Sequence, residues 1–110
     1  MKYSAVILFI SLFLSGSIRR SINPGEGFLE VKGGRIWYKV VGTGKGTPLL
    51  LIHGGPGSRS CEGIPGYSTL GNDRPVIFYD QLGSGHSDRP TDTTLWQLPR
   101  FVDEVEALRK

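Results

Sequence analysis

Cysteine is almost absent from this chain, and basic residues are not concentrated anywhere along it. Cys61 is the single cysteine, which excludes an internal disulfide. With two histidines besides, the sequence shows no Cys/His cluster of the kind that binds zinc. The 13 lysines and arginines are scattered, and no basic run is longer than Arg19-Arg20. We therefore expect no metal, no cofactor and no nucleic-acid partner.

A long apolar run is also absent. The longest block, Ala5 to Leu14, is shorter than the about 20 residues that cross a bilayer as a helix. It follows Lys2 and precedes Ser15-Gly16-Ser17, which is the arrangement of a secretory signal peptide. We interpret residues 1–21 as such a signal and expect export or membrane association through this segment alone. The alternatives are an uncleaved anchor, or a wrongly chosen start codon and a cytoplasmic protein.

Glycine, by contrast, is abundant, and its 16 residues lie mostly between predicted strands. The apolar run Leu49–Ile52 predicts a strand buried on both faces, as in a parallel sheet. The run stops at His53-Gly54-Gly55-Pro56-Gly57, a composition that cannot continue a strand or begin an ordinary helix. Such a loop can present a bare backbone N–H to a developing oxyanion.

The segments on either side predict a mixed α/β fold. Phe28–Val31 and Arg35–Val41 are expected to form an antiparallel hairpin around a turn at Lys32-Gly33-Gly34. Val76–Tyr79 predicts a second buried strand, parallel to Leu49–Ile52, and a glycine-rich loop follows each of the two. Because open α/β sheets bind ligands at the carboxyl ends of their strands, we expect these loops to share one site.

Two helical segments are predicted. Residues 58–70 should contain a helix that is short or broken, because Pro65-Gly66 interrupts them. Arg100–Lys110 predicts a regular helix with an apolar stripe toward the core. The stripe is Phe101, Val102, Val105 and Leu108, and the residues expected to face away are Asp103, Glu104 and Glu106. Gly42–Thr47 predicts an exposed loop rather than a phosphate-binding loop, because a strand and not a helix follows it.

Two motifs carry a resemblance to a known family. His53-Gly54-Gly55-Pro56-Gly57 and the segment Tyr79–Pro90 resemble the proline iminopeptidases, which are serine peptidases of the α/β-hydrolase superfamily. The resemblance covers residues 28–110 and implies an α/β fold, the N-terminal part of an α/β-hydrolase domain. An antiparallel hairpin opens that fold, parallel strands with helices follow, and the strand order is 1-2-4-3-5. The implied activity is release of an N-terminal proline from a peptide substrate without a cofactor.

The resemblance also implies roles for residues in the two loops. The backbone N–H of Gly55 is expected to form half of an oxyanion hole. The residues expected to support it in the first loop are His53, Gly54, Pro56 and Gly57. The supporting residues of the second loop are Asp80, Gln81, Gly83, Gly85 and Ser87.

Local hydrogen bonding is expected to hold both loops in shape. The His53 ring should fix the first loop, and the Asp80 carboxylate should accept backbone N–H groups of the second. Ser87–Pro90 is expected to pin the second loop by hydrogen bonds and an ion pair. His86 stands where the family commonly has arginine.

The nucleophile of the superfamily is not found in the sequence. It belongs in Gly-x-Ser-x-Gly, and the nearest matches, Gly66–Leu70 and Gly85–Arg89, each lack the second glycine. We therefore interpret residues 28–110 as a domain truncated before the nucleophile elbow, without the Ser-Asp-His triad and inactive alone. Leu49–Ile52 would then lack its fifth-strand partner, and such an open edge favours a marginal or aggregating chain.

Three alternatives stay open at this point. One is another α/β-hydrolase, such as an epoxide or ester hydrolase, although Gly54-Gly55 and Asp80-Gln81 favour the iminopeptidases. The second is a non-catalytic exported protein. The third is a local triad on the second loop, formed by Asp80, His86 and either Ser84 or Ser87.

Overall fold

The computed structural model describes residues 21–55 and 57–110 and shows one sheet with short helices. The strands are β1 (Gly25–Val31), β2 (Gly34–Val41), β3 (Leu49–Leu51) and β4 (Val76–Tyr79). The helices are α1 (Ile64–Tyr67) and α2 (Leu98–Arg109), with 3-10 turns at Ser68–Asn72 and Thr93–Leu95. The predicted signal segment, residues 1–21, lies outside the described residues except for Ser21. Within the described part, no helix is both long enough and apolar enough to cross a membrane.

The sheet has the strand order β1-β2-β4-β3, which confirms the order expected for its first four strands. β1 and β2 form the predicted antiparallel hairpin, with Phe28 opposite Trp37. The hairpin extends beyond Phe28 because the ladder continues to Gly25, which lies opposite Val40. β4 runs antiparallel to β2 and parallel to β3, so the carboxyl ends of β3 and β4 lie at the same edge of the sheet.

β3 is shorter and more exposed than its apolar sequence predicted. It ends at Leu51, its 3 residues are only half-buried, and Ile52 is 57% exposed. The reason is its position, because among the described residues β3 is the last strand of the sheet and pairs only with β4. β4 lies between two strands, and its buried side chains are Val76, Phe78 and Tyr79.

The core joins the sheet to the loops that follow β4. Its central residues are Ile36, Tyr79, Leu82 and Leu95. The segment 58–70 is, as predicted, only a short helix and a 3-10 turn, with proline in the first turn of α1. Gly42–Thr47 is irregular, as predicted.

Helix α2 is present, but the prediction of its buried face is partly wrong. The helix begins at Leu98 rather than at Arg100. Val102, predicted to face the core, is 52% exposed, whereas Glu104, predicted to face away, is completely buried. The residues of α2 that do pack against the core as expected include Val105 and Leu108.

A buried ion pair explains this orientation of α2. Arg100 Nη1 donates to Glu104 Oε1 at 2.7 Å, and the two side chains are 5% and 0% exposed. The same glutamate oxygen accepts the Leu82 N–H at 3.0 Å, and Arg100 Nε donates to the Leu95 carbonyl. The guanidinium also lies 4.0 Å from the centre of the Phe101 ring, within the range of a cation–π contact. The spacing of apolar residues predicts where apolar side chains lie. It cannot predict that a charged pair is buried because the two charges bind each other and nearby backbone groups.

We expect Glu104→Leu to lower the free energy of unfolding by about 3–5 kcal/mol, because Arg100 is then buried without its partner. Adding Arg100→Leu should recover part of this loss, because no charge is left alone. Glu106→Gln is the control, since Glu106 pairs with Arg109 on the solvent side of the same helix. Urea denaturation followed by circular dichroism measures the effect, and a double variant less stable than Glu104→Leu would contradict it.

We also expect the 110-residue chain to self-associate through the outer edge of β3. Ile52→Lys should weaken this association, because Ile52 is 57% exposed beside that edge and lysine opposes strand pairing. Val102→Lys makes the same change of charge at a 52% exposed position of α2 and should leave association unchanged. Sedimentation velocity over a range of concentrations measures all three chains. A monomeric parent chain that melts cooperatively would show the expectation to be wrong.

Candidate active site

The loops that follow β3 and β4 lie side by side, as the parallel pairing of these strands requires. Residues 53–57 form the first loop, of which Pro56 lies outside the described residues, and residues 80–90 form the second. The two loops line a cavity of about 510 Å³. The lining residues are His53, Gly55 and Gly57 from the first loop and Gln81, Gly83 and Ser84 from the second. Open α/β sheets bind ligands at this edge, so the cavity is the candidate site.

His53 joins the two loops through its ring and its backbone. Its Nε2 accepts the Gln81 N–H at 3.0 Å, and its carbonyl oxygen accepts the Gln81 side-chain amide at 2.8 Å. Its Nδ1 lies 3.0 Å from the Gly54 carbonyl oxygen and donates to it, because an accepting Nε2 carries no proton. His53 therefore makes hydrogen bonds both within its own loop and to the second loop. A ring nitrogen that already accepts a backbone N–H is a poor general base.

Gly55 is unobstructed where it borders the cavity. Its φ of +29° lies in the left-handed region, which favours glycine. A Cβ built on it would meet no atom of a non-neighbouring residue within 4 Å. Its carbonyl oxygen accepts the Ser58 N–H at 3.4 Å, but among residues 21–55 and 57–110 no acceptor pairs with its N–H. The hydrogen-bonding capacity of this N–H is therefore unused within the described chain.

The Asp80 carboxylate is completely buried and holds two segments by their backbones. Oδ2 accepts the His86 N–H at 2.9 Å, which confirms that Asp80 binds the backbone of its own loop. Oδ1 accepts the N–H groups of Ser60 at 2.7 Å and Cys61 at 3.3 Å, a connection that the sequence did not predict. Gly85 makes room for this arrangement, because its φ is +52° and a Cβ there would fall on the carboxylate.

The end of the second loop is attached to β2. Ser87 Oγ donates to the Asp80 carbonyl and accepts the Trp37 N–H at 2.8 Å. Asp88 accepts the Arg35 N–H at 2.8 Å and pairs with the Arg35 guanidinium at 3.4 Å. The backbone hydrogen bond, and after it the bond from the guanidinium, holds the pKa of Asp88 below its ordinary value. The expected hydrogen bonds and ion pair are confirmed, and β2 is their partner.

The local triad considered from the sequence is not assembled. Ser87 Oγ is buried, and its proton is engaged on a backbone carbonyl. Ser84 Oγ donates to another backbone carbonyl at 2.8 Å and lies 3.2 Å from His53 Nε2. His86 lies instead beside Asp80, with its Nδ1 3.6 Å from Oδ2. In the part of the chain that the structure describes, neither serine is hydrogen-bonded to His86, so this alternative is wrong.

One cluster in this region was missed in the sequence. Cys61, Asp80 and His86 place potential ligand atoms within 4.8 Å of one another, although no Cys/His cluster was expected. Burial first, and then the charge of Asp80, raises the pKa of the Cys61 thiol. No spacing rule would reveal this cluster, because Asp80 brings two separate segments together through their backbones.

One wall of the cavity is aromatic. Trp96 and Phe101 line it together with Leu82, and the two rings stack with their centres 6.4 Å apart. A Cβ on Gly83, whose φ is +90°, would lie 2.7 Å from the Trp96 ring, so glycine permits this close approach. Burial raises the pKa of Tyr79, at the end of β4, to about 12, which keeps its phenol neutral. The cavity is thus lined by Gly55 of the first loop and by an apolar surface. Of the two rings in that surface, only Phe101 was predicted from the sequence, and only as a packing residue of the helix.

Curated relatives match this chain over part of their length. The α/β hydrolase fold family matches residues 47–110. The proline iminopeptidase of Heyndrickxia coagulans is 56% identical over 86 residues, which are 77% of this chain and 30% of that protein. That of Levilactobacillus brevis is 42% identical over 88 residues, 76% of this chain and 29% of that protein. The chain therefore spans about 30% of the length of these relatives.

Solved structures show the same fold. The proline iminopeptidase of Mycobacterium smegmatis has a TM-score of 0.68 and 28% identity, over 76% of this chain and 30% of that one. A proline iminopeptidase-related protein of Thermus thermophilus has a TM-score of 0.70 and 26% identity, over 79% of this chain and 31% of that one. The predicted α/β-hydrolase fold class is confirmed. This chain belongs to the α/β hydrolase fold family, and within it the chain is similar to the proline iminopeptidases.

Proposed function

We propose that residues 28–110 provide the oxyanion-hole part of a serine aminopeptidase that releases N-terminal proline from peptides. In such an enzyme a serine attacks the prolyl carbonyl carbon, an acyl-enzyme forms, and water then releases the proline. The similarity to proline iminopeptidases, 56% identity over 86 residues, supports this choice of substrate. The attacking serine belongs to a part of the enzyme other than these residues.

The observation that carries the proposal is the Gly55 N–H beside the cavity, which no described acceptor uses. Attack on a carbonyl carbon places negative charge on the carbonyl oxygen, and a donor already held in position stabilises that charge without reorganising. Gly55 is held in this way because His53, two residues before it, is bonded to Gln81 through both its ring and its carbonyl. Removing one such donor typically lowers the rate by about 10²–10³-fold.

The aromatic wall supports a substrate with a small apolar group. The stacked rings of Trp96 and Phe101 form one side of the cavity of about 510 Å³. The pyrrolidine ring of a prolyl residue has apolar faces that can pack on such a surface. In this arrangement the carbonyl of the prolyl residue points toward the Gly55 side of the cavity.

We expect the 110-residue chain alone to have no peptidase activity, because it contains no Gly-x-Ser-x-Gly. The measurement is release of 4-nitroaniline from proline 4-nitroanilide, compared with buffer. Ser84→Ala is the control for a nucleophile within the second loop. Release by the parent chain that disappears in this variant would contradict the expectation.

The role of Gly55 can be measured in a chimera. In it, residues 28–110 of this chain replace the matching segment of the Heyndrickxia coagulans enzyme, to which this chain is 56% identical over 86 residues. We expect the chimera to hydrolyse proline 4-nitroanilide, and Gly55→Ala to lower its kcat by about 10²–10³-fold with little change in KM. The reason is that a Cβ at a φ of +29° strains the loop and displaces the N–H that meets the oxyanion.

Gly54→Ala is the matched control in the same chimera. Gly54 is adjacent to Gly55, its φ is not in the left-handed region, and a Cβ there would meet nothing within 4 Å. Its kcat should therefore stay close to that of the unsubstituted chimera. Equal losses of kcat in the two variants would mean that the loop needs glycine only for its shape. That result would contradict the oxyanion role of Gly55.

A further inference from the structure

A cysteine, an aspartate and a histidine meet beside the candidate site. Potential ligand atoms of Cys61, Asp80 and His86 lie within 4.8 Å of one another. The oxyanion chemistry proposed above uses none of these side chains as a reacting group. We propose that the three side chains form a binding site for a divalent cation of the Zn²⁺ class, with a fourth position open to water.

The spacing of the three groups suits a tetrahedral ion. Zn²⁺ binds a thiolate at about 2.3 Å and nitrogen or oxygen at about 2.0–2.2 Å, so two N/O ligands of one ion lie about 3.4 Å apart. His86 Nδ1 lies 3.6 Å from Asp80 Oδ2, which is close to that separation. The Cys61 sulfur lies within 4.8 Å of both other ligand atoms, whereas a thiolate and an N/O ligand of one ion lie about 3.5 Å apart, so the sulfur has to move closer by about 1.3 Å at most.

The Asp80 carboxylate has room for an ion without losing its hydrogen bonds. Oδ1 accepts the Ser60 and Cys61 N–H groups, which use its two lone-pair sites. Oδ2 accepts the His86 N–H and is also the oxygen nearest to the His86 ring, so its second lone-pair site is available there. The backbone bonds to Asp80 fix the orientation of this ligand, as outer-shell partners do in metal sites.

The charges of the site also favour a divalent ion. A free cysteine carries a proton on its sulfur at neutral pH and binds Zn²⁺ only as the thiolate. Zn²⁺ displaces that proton to solvent, and the thiolate and carboxylate together balance its two positive charges. His86 binds as the neutral imidazole. Its side chain is 60% exposed, so the ion can enter from solvent on that side.

A bound ion would form a second connection between the two loops. Cys61 lies in the segment that follows the first loop, whereas Asp80 and His86 belong to the second loop. Their backbones are already joined through the Asp80 carboxylate. A ligand that binds the folded chain and not the unfolded chain raises its stability, so Zn²⁺ should raise the Tm.

The test is titration of the 110-residue chain, first with Co²⁺ and then with Zn²⁺. Co²⁺ bound by a thiolate shows charge-transfer absorption in the near ultraviolet, and four-coordinate Co²⁺ absorbs strongly in the visible. Cys61 is the only cysteine, so the thiolate band reports on it alone. We expect one Co²⁺ per chain, both absorption bands, and their loss when one equivalent of Zn²⁺ is added.

Cys61→Ser and His86→Ala should each weaken Zn²⁺ binding by more than about 100-fold, since loss of outer-shell partners alone costs about 10–100-fold. Both positions tolerate the change, because neither side chain is in the core. Glu62→Gln is the matched control, since Glu62 adjoins Cys61 but pairs with Arg59 and lies outside the cluster. A missing thiolate band, or Zn²⁺ binding by Cys61→Ser as tight as that of the parent chain, would overturn the proposal.

Discussion

The geometry of the candidate site depends on the buried carboxylate of Asp80. A buried carboxylate is costly unless its oxygens accept hydrogen bonds, and Asp80 accepts backbone N–H groups of Ser60, Cys61 and His86. Because these donors come from two segments, the bonds that permit burial also join residues 60–61, just after the first loop, to the second loop. The glycine at position 85 is part of the same constraint, since a side chain there would displace the carboxylate. Satisfying one buried acid therefore attaches the segment after the first loop to the second loop.

Glu104 is a second buried carboxylate that accepts a backbone N–H of the second loop. Its buried carboxylate accepts the Leu82 N–H and pairs with Arg100, so helix α2 is attached to the loop by polar bonds as well as by apolar contacts. A glycine-rich loop has no ladder of its own to satisfy its backbone groups, and buried N–H groups must be bonded somewhere. Two buried acids supply the missing acceptors, which explains how this loop keeps one shape.

The parts of the fold that follow from apolar runs and turns were predictable, and those that follow from hydrogen bonds of buried polar groups were not. Apolar runs and turns predicted the hairpin, the parallel pairing of β3 with β4, and the meeting of the two loops. The burial of Glu104 was not predictable, because apolar periodicity assigns every charged residue to solvent and cannot show that Arg100 and Leu82 both donate to its Oε1. The same limit applies to Ser60 and Cys61, whose bonds to Asp80 use backbone groups that any residue type would offer.

The donor of the proposed oxyanion hole can take its position before any nucleophile is present. Gly55 lies two residues after His53, and the ring and carbonyl of His53 are bonded to Gln81, which lies just beyond β4. The parallel pairing of β3 with β4 places these two residues at one edge of the sheet. The strand pairing and the hydrogen bonds of His53 all join residues between positions 49 and 81. The position of the Gly55 N–H is therefore set by two strands and the loops that follow them. Preorganisation of this kind is what electrostatic catalysis requires, because a donor that moved into place during the reaction would lose its advantage over water.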